Sequence, residues 1–358
     1  MKKVSFYLFF IFILTSIILI TDIVLSNAFL KYKNCFNYEK FYYELKKNCK
    51  GTYRFKKSFP LVETITDEMG LRVGSNSSKS KDKKNIFIFG DSFTYGVGIE
   101  YDKTFVGLIE KEMKDYNIYN FGVGSYSPSV YLYKLKKTLK LDIFPKKIFL
   151  FLDLTDILDE ANRWEYNKEL NQVKLKSDYI YRNSQKKEKF IKQNFKILTN
   201  LSTYINFHLR NLREKMKIKI KNERKIKTSI QGSFTYTERS LLDKRFWEEK
   251  SFERGISELK YKVSEISDIS KKIKSDFYVI IYPWAETLEF GQNKFNWSIF
   301  ANEICAPNKC KVIDAIPDFK LYKKQNVNWS NELYFLNDEH FNEVGASVLF
   351  QTVINNIN

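Results

Sequence analysis

Asn85-Ile86-Phe87-Ile88-Phe89-Gly90-Asp91-Ser92-Phe93-Thr94-Tyr95-Gly96-Val97-Gly98 is the stretch whose reading decides the fold. Its first half is a short apolar run that ends in glycine. Such a run reads as a strand buried on both faces, as in the middle of a parallel sheet. Its second half places a serine among glycines, just past the carboxyl end of that strand and ahead of a helix. In open α/β sheets functional groups gather at that end of the strands. A serine there exposes its hydroxyl, and the N-terminus of the following helix offers free N–H groups to a developing oxyanion.

Working outward, the same grammar repeats. Thr104 to Met113 has helical periodicity, and Asn117 to Gly122 is a second short strand ending in glycine. Ser129 to Leu141 reads as a helix and Lys147 to Asp153 as a third buried strand. Strands alternating with helices predict a parallel sheet with helices on both faces. The alternation breaks at Asp156. A charged segment at about 160–247 carries no buried-strand pattern and is expected to be a helical or irregular insertion. The α/β pattern returns with an amphipathic helix, Ser251 to Lys274, a fourth strand, Asp276 to Pro283, a fifth, Lys311 to Asp314, and a last helix, Phe341 to Ile354. Ahead of the first strand, residues 31–84 form a polar, aromatic-rich lead-in ending in the linker Ser75 to Lys84. The resulting division is an N-terminal segment 1–30, the lead-in 31–84 and an α/β domain 85–358.

A serine hydroxyl needs a base. The chain has two histidines, His208 and His340. His208 lies in the charged insertion and reads as a surface or structural residue. His340 lies in Asn337-Asp338-Glu339-His340-Phe341, just before the last helix, with Asp338 two residues earlier. In an extended loop residues i and i+2 face the same side. Asp338 is therefore placed to orient His340 while its ring accepts the Ser92 proton.

Gly90-Asp91-Ser92-Phe93, Asn120-Phe121-Gly122-Val123-Gly124 and Asp338-Glu339-His340 together resemble blocks one, two and five of the SGNH/GDSL hydrolases. The resemblance covers about residues 64–354, interrupted by the insertion. The lead-in Thr66-Asp67-Glu68-Met69-Gly70-Leu71-Arg72, the segment Gly122 to Pro128 and the strand ending Tyr282-Pro283-Trp284 are similar to the envelope-associated branch that includes alginate acetyltransferase-like proteins. The resemblance implies a flavodoxin-like three-layer α/β/α sandwich and acyl-ester chemistry without a cofactor or metal. It implies Ser92 as nucleophile, His340 as general base and acid, and Asp338 as its orienting carboxylate. The oxyanion would be held by the Ser92 N–H and by a backbone N–H at Gly124 or Ser125. Many members have glycine where Ser125 stands, and a backbone donor survives that change if the turn tolerates a side chain. The block-three asparagine is missing: Leu154-Thr155-Asp156 puts Thr155 in its place. A threonine hydroxyl is a shorter donor, and losing one oxyanion donor costs about 3 kcal/mol of transition-state stabilisation.

Other residues carry weaker expectations. Asp91 reads as a brace for the loop around Ser92. Asp153, Asp156, Asp159 and Glu160 read as polar lining of the site, since a calcium loop would carry glycine and evenly spaced ligands. Arg72, Asp156 and Trp284 are candidate substrate contacts.

The remaining features bear on location and partners. Lys2 and Lys3 precede an apolar run, Val4 to Thr21, which resumes after Asp22 as far as Leu30. About 20 apolar residues span a bilayer, so an uncleaved N-terminal transmembrane helix is expected, with the α/β domain outside the cytoplasm. Four cysteines in two local pairs, Cys35 with Cys49 and Cys305 with Cys310, suit disulfides in an oxidising compartment. The formal net charge of +18 is spread along the chain without a nucleic-acid motif, and no nucleic-acid partner is expected.

The expected function is an exported serine esterase that deacetylates an envelope or extracellular glycan. The alternatives are an O-acyltransferase on cell-surface polysaccharide, working with an assembly partner, and a non-catalytic glycan-binding module on the same fold.

Overall fold

The computed structural model describes residues 2–29, 35–38, 42–56, 59–176, 251–292, 295–336 and 338–357. The chain forms two compact units. The first comprises Met1–Asn34, Lys56–Ser58 and Asp178–Lys225, and its described element is the helix Lys2–Phe29. Phe6, Phe9, Phe12, Ile17 and Ile20 on that helix are exposed. The helix forms where expected, but the transmembrane expectation is corrected: among the described residues no helix is long and apolar enough to cross a membrane. Asp22 cuts the apolar run, and a hydrocarbon core asks for about 20 such residues in a row.

The second unit comprises Cys35–Phe55, Phe59–Ser177 and Ile226–Asn358. It opens with the hairpin β1 (Phe36–Tyr38) and β2 (Tyr43–Leu45). An antiparallel sheet follows, built from β3 (Lys50–Tyr53), β4 (Val62–Thr66) and β5 (Arg72–Val73). A disulfide joins Cys35 to Cys49. The lead-in packs by its aromatic and aliphatic residues: Phe36, Tyr42, Leu45, Phe59 and Leu71 are buried in the same core as one face of the central sheet.

That sheet contains the five strands read from the sequence: β6 (Lys84–Phe89), β7 (Tyr116–Asn120), β8 (Lys147–Leu152), β11 (Asp276–Ile281) and β12 (Lys311–Asp314). All neighbours are parallel, in the order β12-β11-β8-β6-β7. Alternate side chains point to opposite faces of a strand, and both sets here are apolar. Phe87, Phe89, Ile148, Leu150, Phe277 and Val279 face one core, which Val130, Leu135, Leu259, Val263 and Ala301 cover from the helices Pro128–Leu139, Ser251–Lys272 and Trp297–Asn308. Ile86, Ile88, Phe149, Phe151 and Ile280 face the other, covered by Val106, Ile109, Phe319, Leu349 and Val353 from Phe105–Glu112, Ile316–Gln325 and Glu343–Asn356. The architecture is a three-layer α/β/α sandwich. Because β7 and β8 flank β6 on opposite sides, the chain reverses direction across the sheet at β6, and a crevice opens past the carboxyl ends of β6 and β8.

The charged segment differs from expectation at its start. Helix Leu154–Asn162 is followed by an antiparallel hairpin, β9 (Trp164–Asn167) with β10 (Gln172–Leu175). Charged and amide residues fill the outward positions, leaving only Trp164 and Val173 to be buried, so no apolar run marks these strands. The rest of the expected insertion, with His208, lies outside the described residues. A second disulfide joins Cys305 to Cys310.

Candidate active site

The site is built at the end of β6. Gly90 has no room for a side chain: a Cβ there would lie 2.0 Å from Thr94 Oγ1. The chain then turns into the short helix Ser92–Tyr95, capped at its start by Asp91, whose Oδ1 accepts the Phe93 N–H at 2.9 Å. Gly96 closes it in the left-handed region at φ +78°, which glycine adopts at little cost. Arg72 is fully buried and donates to the carbonyls of Tyr95, Gly96 and Ile99. Expected as a candidate substrate contact, it fixes the loop after the serine.

His340 arrives from the other end of the chain. The backbone of Phe335 donates to the His340 carbonyl at 2.9 Å, and Asn342 caps the last helix by accepting the Val344 and Gly345 N–H groups. The imidazole is thereby held between two ordered elements. Its Nε2 lies 2.7 Å from Ser92 Oγ and its Nδ1 2.6 Å from Asp338 Oδ1. Asp338 also accepts the His340 N–H at 3.1 Å, so carboxylate and ring are locked together locally. Phe93 stacks on the imidazole at 4.7 Å between centroids, and Phe55 meets it edge-on at 4.9 Å. Asp338, Glu339 and His340 have ligand-type atoms within 4.8 Å of one another, but both ring nitrogens of His340 are already engaged.

The loop after β7 supplies the third side. Asn120 Oδ1 accepts the Gly122 N–H, and a Cβ on Gly122 would lie 2.6 Å from Tyr95 N, so this loop presses against the Ser92 helix. Gly124 faces the serine: a Cβ on it would be 3.7 Å from Ser92 Cβ. Ser125 adopts φ +60°, so this turn does accept a side chain in the left-handed region. Tyr43 donates to the Gly124 carbonyl and Trp164 Nε1 to the Ser125 carbonyl, each at 2.7 Å. Among the described residues, the N–H groups of Ser92, Gly124 and Ser125 have no protein acceptor. These are three unspent backbone donors in the two loops around Ser92.

The loop after β8 behaves differently from expectation. Thr155 Oγ1 lies 2.5 Å from Asp153 Oδ1 and 3.2 Å from Asp91 Oδ2. Its one proton is directed at a carboxylate, whereas the sequence suggests a donor to the oxyanion. Asp156 is buried, accepts from Tyr131 Oη at 2.8 Å and from the Asp153 N–H at 2.9 Å, and closes a capping box on helix Leu154–Asn162. Trp284 is buried and donates to Asp153 Oδ2 at 3.0 Å. Both side chains, expected as substrate contacts, bond to the scaffold of the loop after β8. Glu160 accepts from Ser127 and Ser129 and likewise serves the scaffold.

Burial dominates the electrostatics behind Ser92. It pushes the Asp91 carboxyl up to about 7, with the Asp153 charge acting in the same direction. Burial also raises Asp153, against the hydrogen bonds from Thr155 and Trp284 that favour its charge. Asp156 is raised well above the carboxylate range by burial and then by Asp153 and Asp91.

Sequence reasoning missed Tyr43, Trp164, Phe55 and Phe59. The first two hold the loop of Gly124 and Ser125. Phe59 is buried against Phe335 at 4.4 Å and, with Phe55, covers His340. Their only sequence signal is the aromatic richness of the lead-in and of the segment after helix Leu154–Asn162.

Fold and site define a three-layer α/β protein with a serine, a histidine and an aspartate in one hydrogen-bonded line at the crevice of its sheet. Among solved structures it is similar to the acetyl xylan esterase AlAXEase, at 12% identity and TM-score 0.40, over 76% of this chain and 100% of that one. It is similar to a lipolytic protein of the G-D-S-L family from Veillonella parvula, at 13% identity and TM-score 0.38, over 76% and 98%. It is also similar to an acetylxylan esterase from Geobacillus stearothermophilus, at 10% identity and TM-score 0.40, over 77% and 95%. No family model and no curated protein matches the chain. The likenesses are distant, and the chemistry below rests on the site itself.

Proposed function

We propose that this protein is an ester hydrolase of the serine type. The observation that carries the reading is the line from Ser92 Oγ to His340 Nε2 at 2.7 Å and from His340 Nδ1 to Asp338 Oδ1 at 2.6 Å. Ser92 Oγ attacks the acyl carbon while His340 Nε2 takes its proton, and Asp338 stabilises the imidazolium that forms. The carbonyl oxygen becomes an oxyanion beside the N–H groups of Ser92, Gly124 and Ser125. On collapse, the alcohol leaves with the proton from His340, and the acyl group stays on Ser92. Water then gives its proton to His340 and attacks the acyl-enzyme, releasing the acid and restoring the serine.

A small acyl group suits the aromatic cover of Phe55 and Phe59 over the imidazole. The motif resemblance supports an O-acetylated glycan as the natural ester. The reading includes a location outside the cytoplasm, supported by the two disulfides. It also includes attachment to a membrane by helix Lys2–Phe29, supported by that helix's exposed apolar side chains. Flotation of the full chain with liposomes tests this: a chain that stays at the bottom of the gradient would end the attachment reading.

The deciding experiment is p-nitrophenyl acetate hydrolysis by the full chain beside Ser92→Ala and His340→Ala. Turnover abolished in both variants is the expected result. Turnover that survives Ser92→Ala, or its absence from folded wild-type protein, would overturn the hydrolase reading.

A further inference from the structure

Asp91 Oδ2 lies 3.3 Å from Ser92 Oγ and 3.2 Å from Thr155 Oγ1. Each hydroxyl has one proton, and each has a closer acceptor. Ser92 Oγ is 2.7 Å from His340 Nε2, and Thr155 Oγ1 is 2.5 Å from Asp153 Oδ1. With both protons used in those bonds, Asp91 Oδ2 faces lone pairs on both hydroxyls, and among the described residues the buried Tyr282 O–H is the one further side-chain donor beside the carboxyl. A buried carboxylate in that position would be repelled by both hydroxyls and would depend on the Tyr282 O–H and the Phe93 N–H alone. A proton on Oδ2 removes the charge and lets Asp91 donate to Ser92 Oγ.

The surroundings place that proton on Asp91 rather than on Asp153. Three donors converge on Asp153: the Thr155 N–H, the Thr155 hydroxyl and the Trp284 indole. Asp91 receives one N–H, that of Phe93, on its other oxygen. Both carboxyls are buried, at 3% and 0% exposure. The titratable groups facing Asp91 are Asp153, Asp156 and Asp159 after β8, Tyr131 on helix Pro128–Leu139, Tyr282 after β11, and His340. No lysine or arginine is among them.

We propose that Asp91 is a positioning residue held as a neutral acid, whose O–H keeps Ser92 Oγ an acceptor on that side and so directs the serine proton to His340. Resting on the hydrolase reading, this gives the site a built-in limit. When Asp91 loses its proton, the Ser92 hydroxyl gains a second acceptor, turns from the imidazole and becomes a poorer nucleophile. The raised affinity of Asp91 for its proton, up to about 7, puts this change near neutrality.

The test combines kinetics and infrared spectroscopy on the full chain. Wild-type kcat/KM for p-nitrophenyl acetate should fall about tenfold per pH unit above a limb near neutrality, as one ionisation requires. Asp91→Asn keeps an acceptor for the Phe93 N–H and places an amide donor where Oδ2 stood. It should retain activity within about tenfold and lose the alkaline limb. Asp91→Ala should lose activity in both pH ranges. In a wild-type-minus-variant infrared difference spectrum below the limb, the carbonyl stretch of a protonated carboxylic acid should appear, and it should titrate away with the limb. A limb unchanged in folded Asp91→Asn, or no protonated-acid band in the difference spectrum, would overturn the inference. Wild-type protein with no Ser92-dependent turnover would instead overturn the hydrolase reading, and the infrared band would still decide where the proton sits.

Discussion

The indole of Trp164 donates to the carbonyl of Ser125 at 2.7 Å and holds a non-glycine residue at φ +60° in the loop that faces Ser92. A left-handed conformation costs a residue with a side chain about 1–2 kcal/mol, so the turn depends on such a tie. Trp164→Phe keeps most of the packing and removes the donor. It should lower stability by about 1–2 kcal/mol. It should also reduce kcat about tenfold with KM nearly unchanged, because the displaced N–H groups act on the oxyanion. Denaturant unfolding and steady-state kinetics check both, and a KM effect alone would contradict this account of the loop.

The buried carboxyls set an unusual dependence of stability on pH. The folded state holds the Asp91 proton up to about 7, whereas an unfolded chain releases it near pH 4, at about 3.9. Between those values the folded state binds more protons. The contribution of Asp91 is therefore full below about pH 4 and is lost as pH rises through about 7. Asp153 and Asp156 shift the same way. The melting temperature should fall as pH rises from about 5 to about 8, and Asp91→Asn should flatten the slope. A melting temperature that climbs across this range equally in both proteins would refute the assignment.

Phe55 and Phe59 should govern the size of acyl group admitted. Phe55 is half-buried and meets His340 at 4.9 Å. Phe55→Ala should raise kcat/KM for p-nitrophenyl butyrate relative to acetate by about tenfold, in the range that differences of one or two methylenes produce in apolar pockets. An unchanged ratio would assign the ring to packing alone.

The disulfides should contribute unequally. Cys35 and Cys49 are 14 residues apart and Cys305 and Cys310 are 5 apart. Loop-closure entropy gives about 3 kcal/mol for the first and about 2 kcal/mol for the second. Cys35→Ser with Cys49→Ser should therefore destabilise more than the matching pair at Cys305 and Cys310, as read from denaturant midpoints. The reverse order would show that local packing outweighs chain entropy here.

The central sheet was legible because each strand is buried on both faces, so Ile86 to Phe89 and Ile148 to Leu152 read as apolar without interruption. The line of Ser92, His340 and Asp338 was legible because two of its members are neighbours in sequence and the third follows a strand. The hairpin of β9 and β10 was not legible, because Trp164 and Val173 bury one side chain each amid charged neighbours. The scaffold bonds of Arg72, Asp156 and Trp284 were not legible for a common reason. Polar residues near such a loop suggest substrate contact, and only geometry shows which scaffold groups they bond. The lead-in's role in holding Gly124 through Tyr43 also required coordinates, since 81 residues separate the two.

His340 stands 248 residues after Ser92. A ribosome makes the serine early and its base late, and the last helix must dock on Phe105–Glu112 to set the loop that carries the imidazole. A nascent, stalled or clipped chain thus carries Ser92 without the imidazole that lies 2.7 Å from it in the finished fold. The line of Ser92, His340 and Asp338 doubles as a certificate of completed assembly, since it closes only when the final segment is in place.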